Sequence, residues 1–345
     1  MNALWLLTSV RRRDMVSLLN RLIKVDSTIC RLSNLQLTTT FRLQAIIVFI
    51  VLIITWVVLI ISDVYAYNTT IFDWFNDILP SFIITQFLLQ YALIVKMIEI
   101  RYRSLNIAIV DLSKSSTTKT FRSFVLRDEI TLMNCEYLPK VIDFRRAHKT
   151  LYDIGSDVAE FYSFPILFII GLSCFEIVYN SYWSLMPLTV NIDVDPAFIV
   201  INSVAWILGL IVPIGILAKA VENITAEMRK TTDAIYTVLD GCNLSREDKA
   251  EVIRISTCHY DSSFVTKFPF QLCFCEFQLE QFSVELLHRK IEFSAYGLFP
   301  LDCSLVHSIF SSTITYLVIL LQFQISTVKP ETSEKPELAA DELVK

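Results

Sequence analysis

The chain has 345 residues, of which 54% are hydrophobic and 19% charged, with a net charge of -5 and a mean hydropathy of +0.52. Soluble domains carry roughly 25% charged residues, and the apolar residues here are gathered into long uncharged runs. This composition excludes a soluble enzyme, a disordered chain and a secreted disulfide scaffold, and the net negative charge gives no basic field for nucleic acid.

Residues 1–9 are apolar but too short to span a bilayer, and the arginines follow them instead of preceding them, which is unlike a signal peptide. Five membrane spans follow. The first is Leu43–Ser62, 20 residues without a charge between Arg42 and Asp63. The second is about Ile78–Val95, bounded by Asp77 and Lys96. The third runs from near Phe161 to about Tyr182, interrupted by Glu176. The fourth is Pro196–Ala218, 23 uncharged residues, and the fifth is Cys303–Val328, 26 uncharged residues. About 20 residues of helix cross a hydrocarbon core of ~30 Å, so each is long enough.

The loops between them alternate in charge. Lys and Arg number seven in residues 10–42, none in 63–77, ten in 99–155, none in 183–195 and nine in 219–296. Basic loops stay on the cytoplasmic side. This predicts a cytoplasmic N-terminal segment (1–42), a four-span bundle (43–218) with a cytoplasmic loop at 99–155, cytoplasmic helices in 219–296, a last span (297–328) and an outside tail (329–345). That tail carries two prolines and mixed charge, and it reads as disordered. Asn68 in Asn68-Thr69-Thr70 falls outside, as a candidate glycosylation site. The sequons at Asn223 and Asn243 fall inside, where they stay unmodified.

The cytoplasmic stretches have apolar residues at helical spacing, including Leu105, Ile109 and Leu112, then Val141, Phe144 and Leu151. Ser245-Arg246-Glu247-Asp248 has the form of a capping box. Between Phe268 and Phe293 the pattern is amphipathic, with Phe282 and Leu286 among Gln278, Gln281 and Glu285. These segments predict helices that leave the membrane and pack together in the cytosol. The eight cysteines avoid the outside loops and are expected as free thiols. Cys258-His259 with Cys273 and Cys275 matches no structural zinc spacing, so no metal or other cofactor is expected.

The last span is the most specific stretch. Thr315-Tyr316, five apolar residues and then Gln322-Phe323 follow a Gly297-Leu298-Phe299 turn and Asp302. This resembles the threonine–tyrosine, five hydrophobics, glutamine–phenylalanine signature of insect gustatory receptors. Arg101-Tyr102-Arg103-Ser104-Leu105-Asn106 resembles the family's basic exit from a span. Arg145–Gly155, with Leu151 and Asp153, resembles its approach to the next. The resemblance covers most of the chain from about residue 10 onward.

The resemblance implies an all-α chemoreceptor bundle with a cytoplasmic N-terminus and an outside C-terminus. It implies a plasma-membrane, ligand-gated cation channel of four subunits, alike or mixed, that detects small tastants. Aligned backward from the last span, the five spans correspond to the family's third to seventh. The first helix and most of the second are then absent, as in an incomplete or degenerate receptor. Gln322, Phe323, Tyr316, Thr315 and Ser312 are the candidate pore or gate residues, with Gly297 and Pro300 as a hinge below them. Gln86, Gln90, Glu176, Asn202 and Trp206 are candidate ligand contacts, because polar and aromatic groups in the outer halves of spans suit sugars and bitter compounds alike. Each has a plainer reading: helix-to-helix hydrogen bonding for the polar residues, and interfacial anchoring for the aromatic belt. A secondary transporter would need inverted repeats and more intramembrane charge. An enzyme would need a motif such as HExxH or GxSxG, and neither is present.

Overall fold

The computed structural model describes residues 12–32, 38–67, 78–118, 130–188, 196–242, 278, 281–286 and 288–328. Asn68, Ser245–Asp248, Phe268–Phe277, the cysteines at 258, 273 and 275 and the tail from 329 lie outside these residues.

Among the described residues six long helices make up the fold: α1 (Arg12–Leu32), α2 (Thr38–Tyr67), α3 (Leu79–Thr118), α4 (Ile130–Leu185), α5 (Pro196–Cys242) and α6 (Cys303–Val328). Five of them, α2 to α6, are long and apolar enough to cross a membrane. They contain the five spans expected from the sequence. A 56-residue α4 reaches about 84 Å at ~1.5 Å per residue, far more than a bilayer needs. α3 and α5, at 40 and 47 residues, also overrun it. The extra turns are the amphipathic, charge-bearing stretches, and they continue the same bundle beyond the apolar zone.

The core lies along α3, α4 and α5. Tyr91, Tyr102, Leu105, Leu151, Tyr162 and Ile224 are fully buried there. The rings of Tyr91 and Tyr162 stack at 4.2 Å. α1 lies against α3 and α4, fixed by Leu18, Leu22 and Val25 at helical spacing. Arg101–Asp26 (2.6 Å) and Arg21–Asp157 (2.5 Å) hold it from both sides. α2 rests on α5 through a separate small core of Leu52, Trp56, Leu59 and Trp206.

A short helical stretch at 281–286 docks beside α4. Phe282 and Leu286 are buried, while Arg145 on α4 donates to Gln278 (2.9 Å), Gln281 (2.9 Å) and Glu285. Those three acceptors are three, four and seven residues apart, hence on one helical face. His148 sits between Tyr102 and Phe282, at 5.6 and 5.5 Å ring to ring, and so ties α3, α4 and this stretch together. Gly155 admits the next residues, since a Cβ there would lie 2.5 Å from Ile291 Cδ1.

The Arg145 guanidinium holds the Glu285 carboxyl below its ordinary value of 4.5. A depressed carboxyl contributes stability above its unfolded pKa and loses it as pH falls through the folded one. The purified protein is therefore expected to lose part of its thermal stability as pH drops below about 4.5. Glu285→Gln should flatten that part of the curve. Identical pH profiles for the two proteins would remove Glu285 from this role.

Between 288 and α6 the chain forms a two-stranded hairpin, β1 (Ser294–Ala295) and β2 (Phe299–Pro300). The expected glycine–proline break is thus a tight turn: Leu298 N donates to Ala295 O at 3.0 Å, and Tyr296 and Gly297 take φ of 52° and 74°. Gly297 suits that conformation, and Pro300, which lacks an N–H, sits at a strand end. Asp302 then caps α6, accepting from Ser304 N at 3.0 Å. That gives a local physical reason for an acid immediately before the last helix.

Candidate functional site

α6 is held by one narrow stripe. Leu305, Ile309 and Thr313 are buried against α4 and α5, and the next positions at the same spacing, Leu317 and Leu321, are half-buried. Only 11% of its apolar stretch is buried, against 61% for that of α3. The rest of α6 is an exposed helical surface with no charge on it between Asp302 and Lys329.

The face opposite the buried stripe is distinctive. Ser304, Ser308, Ser311, Thr315, Val318 and Gln322 are all exposed and follow one another at intervals of 4, 3, 4, 3 and 4 residues. That is the spacing of a coiled-coil seam, which places them in one line along the helix. Their hydrogen bonding has one sense. Ser308 Oγ donates to Ser304 O (3.0 Å), Thr315 Oγ1 donates to Ser311 O (3.0 Å), and Ser304 Oγ donates to Asp302. A hydroxyl has a single hydrogen. With it committed to the helix itself, these oxygens offer lone pairs outward. Such oxygens can accept from water or coordinate a cation.

The structure divides the five residues expected in a pore. Gln322 and Thr315 lie on this line. Ser312, Tyr316 and Phe323, at intervals of 4 and 7, share the neighbouring face, with Tyr316 and Phe323 strongly exposed. Gly297 and Pro300 lie in the hairpin just below. The base of α6 is tied to α5 where Cys303 Sγ donates to Glu222 Oε2 at 3.2 Å and Glu222 pairs with Lys219 at 2.8 Å. Cys303 and Cys174 are free thiols.

The ligand candidates are not gathered into one place. Asn202 is buried, accepting from Ser62 Oγ (2.6 Å) and donating to Asp63 Oδ1 (3.2 Å), so it bonds α5 to α2. Trp206, one turn on, meets Trp56 edge to face at 5.8 Å, and Trp56 meets Phe82 at 5.3 Å. Their four-residue spacing serves helix packing. Glu176 on α4 accepts from Ser81 Oγ of α3, 3.1 Å from each carboxylate oxygen. On α3, Gln86 is half-buried and Gln90 exposed.

One polar cluster was not anticipated from sequence. It fills the seam between α3 and α5 beyond the apolar zone. Asn106 donates to Glu227 O (2.9 Å) and Oε2 (3.2 Å), and its own Oδ1 accepts from Thr231 Oγ1 (2.6 Å). Lys230 pairs with Glu227 at 2.8 Å, and Arg103 lies between Glu227 (3.6 Å) and Glu99 (2.9 Å). Glu99 is completely buried and also holds Lys96 at 2.7 Å. A cavity of about 620 Å³ opens beside this cluster, lined by Arg103, Asn106, Asp111, Glu227, Lys230 and Asp233 among others. It includes none of the five ligand candidates.

A helical bundle with five helices long and apolar enough to cross a membrane marks a multi-pass membrane protein. The comparisons with known proteins specify it further. The profile of the 7tm chemosensory receptor family matches residues 3–253 and 276–327. The chain belongs to that family, among the insect gustatory receptors. It is 26% identical over 181 residues to putative gustatory receptor 28b of Drosophila melanogaster, covering 51% of this chain and 32% of that protein. It is 26% identical over 207 residues to putative gustatory receptor 28a of the same fly, covering 58% and 39%. A 49-residue stretch is 51% identical to putative gustatory receptor 2a, covering 14% and 11%. The matches thus span well under two thirds of the relatives' own lengths.

Proposed function

We propose that the chain is a taste-receptor subunit that opens a non-selective cation pathway when a small tastant binds. In this reading it sits in the plasma membrane with its basic segments and N-terminus in the cytosol and its C-terminus outside. Four subunits, alike or mixed, surround the pathway, and lipids cover their outer faces. The observation that carries the proposal is the line Ser304–Gln322 on the open face of α6. It is polar, uncharged and rich in outward-facing acceptor oxygens, and it lies opposite the stripe that binds α6 to its own subunit.

A helix held on one side and open on the other can contribute to a shared axis. Bare hydroxyl oxygens there replace part of a cation's water shell, and Val318 supplies an apolar layer between Thr315 and Gln322 that can close by dewetting. Asp302 adds an acid at the cytosolic mouth. The candidate ligand contacts are Gln86, Gln90 and Glu176. Asn202 and Trp206 act chiefly in joining α2 to α5.

The test is to express the chain in oocytes and record tastant-evoked cation currents. In a responsive receptor, Gln322→Ala is expected to change relative cation permeability by about three- to tenfold. That corresponds to roughly 0.7–1.4 kcal/mol, the net worth of one hydrogen-bond-like contact. Unchanged permeation and gating in this variant would take Gln322 out of the pathway. Currents carried by anions would overturn the cation reading.

A further inference from the structure

The 294–300 hairpin ends in two side chains that nothing in the described structure covers. Tyr296 is 67% exposed and Leu298 is 70% exposed. Tyr296 also holds a φ of 52°, in the left-handed region that bulky residues avoid. Three residues connect the paired Ala295 and Phe299, and the first two of them hold positive φ, positions that hairpin turns ordinarily give to asparagine or glycine. A tyrosine kept at such a position, with its ring turned outward, points to a use for the ring rather than for the turn.

The depth of the hairpin follows from two contacts. Tyr296 N donates to Ser163 Oγ at 3.0 Å, and Ser163 lies at the start of the apolar run of α4. Three residues beyond the hairpin, Cys303 reaches Glu222, which pairs with Lys219, the first charge after the 23-residue uncharged run of α5. The hairpin is therefore level with the ends of two membrane-crossing stretches.

The surface beside it is apolar and continuous. Tyr296 meets Phe164 at 6.0 Å, and Phe164 meets Phe168 at 4.9 Å. Leu172 and Phe175 extend the same exposed row up α4. A row of bare aromatic and aliphatic side chains on a membrane-crossing helix faces acyl chains, and the hairpin tip is its lower end. Lys290 and Glu292 leading into the hairpin are both exposed and opposite in sign, so no headgroup charge is selected. The chemistry matches the boundary between acyl chains and headgroups, where a tyrosine places its ring in the apolar layer and its hydroxyl in water.

We propose that this hairpin is an interfacial lipid anchor: Tyr296 and Leu298 insert into the bilayer where α4 and α5 leave it, and so fix the depth of the base of α6. The anchor rests on the membrane-crossing reading of α4 and α5, and it does not require a conducting pathway. Because α6 begins at Cys303, any displacement of the hairpin relative to the bilayer is passed to that helix through two residues, Leu301 and Asp302.

Photo-crosslinking of the full chain in phosphatidylcholine vesicles tests this. With p-benzoylphenylalanine at 296 or 298, phospholipid adducts are expected in yields within about twofold of those from position 168, and none from the buried position 295. Adducts joining two copies of the chain, or none at 296 and 298 beside a clear lipid adduct at 168, would overturn the anchor. A second measurement needs no substitution: a membrane-dissolved phenyldiazirine applied to the wild-type protein should label residues 294–300 together with 164–175. Labelling of 164–175 alone would overturn the proposal, and labelling of neither would overturn it together with the membrane-facing assignment of α4.

Discussion

Thr315→Trp is expected to abolish tastant-evoked current, reducing it by at least about tenfold at unchanged surface expression. Thr315 lies midway along the exposed polar line of α6, with Ser311 one turn before it and Val318 one turn after. In the proposed four-subunit pathway, four indoles at that level would fill the space that the hydroxyls of this line would surround. They would also remove the acceptor oxygens that stand in for water, with Thr315 Oγ1 now donating inward to Ser311 O. The control is Phe310→Trp. Phe310 is also exposed on α6, but it lies about 140° around the helix from Thr315, at ~100° per residue. That substitution should leave most of the current. Thr315→Ser keeps the hydroxyl and should conduct nearly normally. A Thr315→Trp receptor that conducts like wild type while Phe310→Trp is silent would place the axis on another face of α6.

The second large effect is on stability. Asn106→Leu is expected to cost ~2–4 kcal/mol, the range for stranding buried polar partners. The leucine fills similar space but takes away the 2.6 Å acceptor of Thr231 Oγ1, which keeps only its 3.2 Å bond to Glu227 O, and removes two donor contacts to Glu227. Glu227 keeps Lys230, so the carboxylate is weakened rather than abandoned. Solubilised protein should unfold ~3–6 °C lower, by the usual relation of free energy to midpoint, and less should reach the cell surface. Asn106→Asp should be at least as damaging, because it sets a second carboxylate beside Glu227. Thr231→Val alone should cost less, and the double variant should cost less than the sum, since both residues belong to one network. Additive losses would mean that Asn106 and Thr231 act separately.

The two predictions differ in how far sequence could have led to them. Thr315 and Gln322 belong to a motif that is legible in the sequence. Sequence alone did not say which third of α6 stays open. Ser312, Tyr316 and Phe323 lie as close to Thr315 and Gln322 in the chain, yet on another face. The choice depends on which residues α4 and α5 cover, and those helices are far away in sequence. Asn202 and Trp206 show the same limit from the other side. Their spacing correctly put them on one face, but Ser62, Asp63 and Trp56, some 140 and 150 residues earlier, make that face a helix–helix seam. The Asn106–Glu227 contact joins residues 121 apart and has no local signature at all.

What the sequence determined by itself was the membrane class, five apolar runs long enough to cross a bilayer, and the family. Uncharged runs of 20 to 26 residues are a local property, because burying even one ion in hydrocarbon is costly enough to dominate composition over that length. The family motif is local for the same reason, lying within one helix. Tertiary structure alone decided which side chains each helix face leaves open: which hydroxyls turn outward on α6, which polar residues are consumed in packing, and that the hairpin tip leaves Tyr296 and Leu298 exposed. Those assignments depend on what other helices cover, and that becomes physical only once distant segments are side by side.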